Sequence, residues 1–139
     1  VADKNPVAYA EGHLGVHTLW NHAQERFEKY EAALLRRASL HTELRKIRDV
    51  QTDAEMQIMQ DGKAKYAEIS ATAFEKIYKT LVHENQDHQK LRMEERERQC
   101  DLDLVEAEIS AHEYQLKLMN SRLIELGGLL NFYAAAKRV

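Results

Sequence analysis

Between residues 102 and 126 the apolar positions recur at alternating steps of three and four: Leu102, Val105, Ile109, His112, Leu116, Met119, Leu123 and Leu126. That spacing is the a/d seam of a coiled coil, the stripe a helix presents to a partner helix. Traced backwards, the repeat reaches Leu91, His88, Leu81, Ile77 and Phe74, with charged Glu95 and Arg98 at its positions in between. His88 and His112 occupy seam positions. A polar residue there sets register or oligomeric state at a cost in stability.

The first half of the chain has a different pattern. Leu19, Trp20, Ala23, Phe27, Tyr30 and Leu34 share one helical face. Beyond Ala38 the stripe shifts to Leu40, Leu44, Ile47, Ala54 and Ile58. A helix whose apolar face rotates in this way winds around its partner or meets different partners at its two ends. Asp61-Gly62 is the strongest turn signal between the two periodic segments. A fold there makes an antiparallel hairpin, with Ile47 near Ile77, Leu44 near Leu81, and Trp20 near Leu102 and Val105. It also sets Phe27 and Tyr30 against Glu95 and Arg98, a mismatch of apolar with charged.

These patterns predict an all-α fold, a long antiparallel helical hairpin of coiled-coil type, with a three-helix bundle as the alternative. The expected organisation is an N-terminal arm over 1–15, a helix over 16–60, a turn at 61–62, a helix over 63–126 and a C-terminal tail over 127–139. A break in the charged stretch 94–101 would give the bundle. Within the arm, Asn5-Pro6 reads as a cap followed by proline at the first helical position, so a short turn over 6–11 is expected. Gly127-Gly128 reads as a helix stop.

Composition narrows the function classes. The chain has 20 basic and 23 acidic side chains, a formal charge of −3, which lacks the basic excess of a general nucleic-acid binder. Its single cysteine, Cys100, excludes a disulfide framework within the chain and a cysteine-only zinc site. That usage suits a cytoplasmic or other reducing compartment. No apolar run is long enough for a membrane span. The start lacks a signal-peptide pattern, and Val1 reads as the mark of a trimmed chain or a fragment.

Little in the chain points to chemistry. His13 and His17 have a helical ligand spacing, with His22 beyond, but no carboxylate takes a third position. Glu84 and His88, like Glu108 and His112, are four apart, where a carboxylate-bridged di-metal bundle uses three. No nucleophile elbow, Walker loop or dinucleotide fingerprint occurs. No catalytic, cofactor-binding or metal residue is therefore assigned, and the chain is expected not to be an enzyme.

Two surfaces remain as interaction candidates. The first is the seam itself, residues 102–126, together with the apolar segment 129–133 of the tail. On this reading the protein is a helical interaction or scaffold element that buries its seam against a second copy or a larger protein assembly. The alternative is a strip of Arg37, His41, Arg45 and Arg48 that binds nucleic acid or another anionic surface. Pairing of this strip with Glu75, Glu84 or Asp87 across the hairpin is the structural counter-expectation.

Overall fold

The computed structural model describes the backbone of residues 15–138 and the side chains of residues 15–128. The arm, with its turn at 6–11 and His13, and the side chains of 129–133 lie outside the described residues. Among those described there are three helices and no strands: α1 (Val16–Lys65), α2 (Ala71–Glu84) and α3 (Gln86–Arg138). The all-α expectation holds. The chain divides into two compact units, one formed by residues up to Leu35 and from Glu106 onward, the other by Arg36–Val105.

In the second unit, α1 and α3 run antiparallel. Glu43 meets Arg98, Arg48 meets Glu95, and Glu55 meets His88, so numbers rise along one helix as they fall along the other. Leu44, Leu102 and Val105 are buried between them. Complete burial of one such leucine contributes about 2 kcal/mol. On α1 the half-buried or buried positions include Arg37, Leu40, Leu44, Ile47, Gln51, Ala54 and Ile58, again at steps of three and four.

The turn does not lie at Asp61-Gly62. α1 runs through both residues to Lys65, and the chain reverses between Tyr66 and Ser70. Gly62 is a site of close approach instead: a Cβ there would lie 3.2 Å from both Leu81 Cδ1 and Phe74 Cε2. Glycine costs a helix about 1 kcal/mol relative to alanine, and here it lets α2 pack directly onto the α1 backbone. The second break also lies elsewhere than expected. The stretch 94–101 is continuous helix, and the interruption is at Asn85. Asn85 closes α2 by donating its N–H to the Leu81 carbonyl at 3.0 Å. It also opens α3, its side-chain Oδ1 accepting from the His88 N–H at 2.9 Å. Ser70 caps α2 in the same way through Ala73 N–H.

With α2 following α1 in the chain, the register of the long helices differs from the expected one. Glu43 meets Arg98 and Arg48 meets Glu95, so Leu44 and Ile47 lie opposite that stretch of α3, whereas Leu81 and Ile77 belong to α2. In the first unit, Trp20 lies with Leu123 and Leu116 rather than with Leu102 and Val105. Tyr30 donates to Glu113 at 3.1 Å instead of facing Glu95 and Arg98. Ala33, Ile109 and Leu126 are the buried apolar residues of this unit, and His112 is buried with them. Here too α1 follows steps of three and four, through Val16, Leu19, Ala23, Arg26, Tyr30 and Ala33. The shifted stripe read from sequence is thus one heptad seam, in which Arg26, Arg37 and Gln51 take polar turns. Trp20 and Phe27 stand beside it.

α3 does not stop at Gly127-Gly128 and continues to Arg138. A Cβ at either glycine would meet nothing within 4 Å, so no turn geometry or close contact requires them. The surrounding Leu- and Ala-rich sequence keeps the helix going over two residues that weaken it.

Candidate interaction site

The seam read from sequence is covered mainly within its own chain. Leu102, Val105, Ile109, His112 and Leu126 are buried, whereas Leu116, Met119 and Leu123 are half-buried. The buried positions are enclosed within a single chain, and Leu116, Met119 and Leu123 are the part of the seam left open.

The half-open part forms a hollow in the first unit. It has a volume of about 560 Å³ and is lined by Trp20, Ala23, Gln24, Phe27, Leu116, Asn120 and Leu123. Trp20 is 53% exposed and Phe27 49%, large values for aromatic side chains on an otherwise packed face. They are exposed because they lie next to the seam positions Leu19 and Arg26 rather than on them. The Phe27 ring is tilted against Tyr30, with centroids 6.3 Å apart, and the Tyr30 hydroxyl is anchored to Glu113.

The two seam histidines have different surroundings. His112 Nδ1 lies 3.3 Å from Arg26 Nη1, and its Nε2 lies 3.3 Å from Glu108 Oε1. A guanidinium only donates, so this geometry suits the tautomer that carries its proton on Nε2. His88 Nε2 lies 2.9 Å from Glu55 Oε1 across the helix pair, whereas His88 Nδ1 is buried without a hydrogen-bond partner. Both residues link particular positions of α3 to α1, which is how a polar residue fixes register.

Beside His88 in the second unit, Glu95 accepts from Gln51 Nε2 at 2.7 Å and from Arg48 Nε at 3.3 Å. The Gln51 hydrogen bond, with support from Arg48 and the nearby His88, holds the Glu95 carboxyl below the usual carboxylate value despite partial burial. Burial, reinforced by the charge of Glu55, pushes the Tyr78 hydroxyl upward. Arg98 bridges Glu43 at 2.8 Å and Asp101 at 3.2 Å. The charges that interrupt the seam in sequence thus serve as cross-links between α1 and α3.

The basic strip is not presented as one open face. Arg37 is half-buried at a seam position, whereas His41, Arg45 and Arg48 are exposed. Arg48 is held by Glu95. Pairing across the helices does occur, but with Glu95 rather than Glu75, Glu84 or Asp87. Cys100 is a free, exposed thiol. Among the described residues no helix is long and apolar enough to cross a membrane. Comparisons with protein-family models, curated proteins and solved structures gave no match.

Proposed function

We propose that this protein is a non-enzymatic helical interaction element that docks through the open part of its seam on an amphipathic helix of a second protein. The observation that carries this reading is the Trp20–Phe27–Leu116–Leu123 hollow, an apolar depression between antiparallel helices with half-exposed aromatics on its rim. Grooves of this kind take the apolar face of a helix at its i, i+3, i+4 and i+7 positions. Exposed aromatics are also the side chains that most often dominate interface energetics. The balanced charge and the Arg48–Glu95 pair favour a protein partner over an anionic polymer. The free thiol suits a reducing compartment as the place of action.

Trp20 is the chain's single tryptophan and so reports the site directly. A protein captured from the native source by the wild-type chain, but not by Phe27→Glu or Leu116→Glu, should shift Trp20 emission to the blue when purified and added back. A captured protein that binds both variants equally and leaves the emission unchanged would contradict the assignment.

A further inference from the structure

Beyond the seam, α3 carries a second repeat, of apolar and small side chains. Leu104, Ala107, Ala111, Tyr114, Leu118 and Ser121 recur at steps of three and four, and all are exposed. Leu104 is 70% exposed, Tyr114 62% and Leu118 49%. At about 100° per residue this stripe lies on the side of α3 opposite Leu102, Val105, Ile109 and His112. A helix that is apolar on two opposite sides packs between two neighbours. One neighbour is α1. Among the described residues, nothing in the chain covers the other side.

We infer that this outer stripe pairs with the same stripe of a second copy, antiparallel, in a two-fold symmetric dimer. Two features of the sequence select that occupant. The first is size. In an antiparallel pairing of a with d positions, Tyr114 meets Ala111 of the second copy, Leu118 meets Ala107, and Leu104 meets Ser121. Every layer joins a large side chain to a small one, the arrangement that fills a helix–helix interface without voids. A parallel pairing would stack Tyr114 on Tyr114 and Ala111 on Ala111, leaving a bulge beside a gap. The second is charge. The stripe is flanked by Asp101, Asp103 and Glu108 toward one end and by Lys117 and Arg122 toward the other. Antiparallel pairing sets the acidic end against the basic end, with Asp101 facing Arg122, whereas parallel pairing sets like against like. In the single chain Asp101 is held by Arg98 and Arg122 by Glu125, both as exposed pairs that exchange partners at little cost. An isologous contact of this kind closes on itself and leaves the hollow formed by Trp20 and Phe27 available.

The inference rests on the reading of the chain as an interaction protein, but it uses a different face, so the two can be separated. The test is the solution mass of the full chain by sedimentation equilibrium, with helicity followed by circular dichroism. The wild type should reach twice the chain mass of 16.2 kDa. Tyr114→Glu should return it to the monomer with helicity retained. Arg122→Glu should weaken the dimer by about tenfold in Kd, and adding Asp101→Arg should restore it. A wild type that stays monomeric at every concentration would overturn the inference and leave the hollow to its own test. So would a dimer that survives Tyr114→Glu and is lost with Phe27→Glu, although that result would support the hollow as the interaction face.

Discussion

Glu95 shows how a residue that spoils an apolar pattern can hold the same seam together. By sequence it is a charged gap between Leu91 and Leu102. In the structure it is the acceptor for both Gln51 and Arg48. Its carboxyl is held below its ordinary value, first by the Gln51 hydrogen bond. A depressed carboxyl contributes stability that is fully present above its unfolded value and is lost as the pH falls through its folded one. Glu95→Gln should therefore lower the unfolding free energy from urea titration at neutral pH by about 0.5–1 kcal/mol. The difference should close in acid below the folded value, and a difference that persists there would show that packing, not charge, makes the contact. Gln51 and Arg48 could not be assigned to Glu95 beforehand, because the assignment needs the register. The histidines were more legible: residues at seam spacing are enclosed by the partner helix, and both His88 and His112 are buried. That His88 Nδ1 has no hydrogen-bond partner could be seen only in three dimensions.

At the scale of elements, glycine misleads in the same way twice. Asp61-Gly62 and Gly127-Gly128 both carry the local signature of a turn or stop, and both lie inside helices. The reasons differ. At Gly62 the missing side chain admits Phe74 and Leu81, a tertiary contact that outweighs helix propensity. At Gly127 and Gly128 nothing is admitted, so the two residues only weaken α3. Gly127→Ala and Gly128→Ala should each stabilise the helix by about 0.5–1 kcal/mol, read as a higher melting temperature and greater helicity. A loss of stability would mean that these positions need a glycine conformation in solution. The true breaks had quieter signals. Ser70 and Asn85 are both favoured cap residues, and Asp87 sits in the first turn of α3. Neither stands beside a glycine or proline, so the apolar periodicity passes straight through them. Misplacing the reversal then shifted every predicted pairing of α1 with α3, while the all-α class and the antiparallel arrangement within each unit agree with the pattern.

For the molecule as a whole, the main change concerns the seam with which the pattern begins. Residues 102–126 looked like a surface in need of a second chain. Yet within a single chain Leu102 and Val105 are buried in one unit and Ile109, His112 and Leu126 in the other. What remains for a partner is the hollow at Leu116 and Leu123 and the outer stripe of α3. The central claim is therefore that the buried positions of the seam close inside one chain and that interaction takes place at its half-open part and on the outer side of α3. Ile109 is 3% exposed and tests this most directly. Placing a carboxylate there leaves a buried charge without a partner, at a cost of several kcal/mol, comparable to the whole stability of a small domain. The decisive measurement is the far-ultraviolet circular dichroism of Ile109→Glu in solution dilute enough for the wild type to be monomeric. The account predicts a marked loss of helicity under conditions where the wild type remains folded. Full helicity in the dilute variant, with only a higher-mass species lost on concentration, would contradict it and return the seam to a contact between chains.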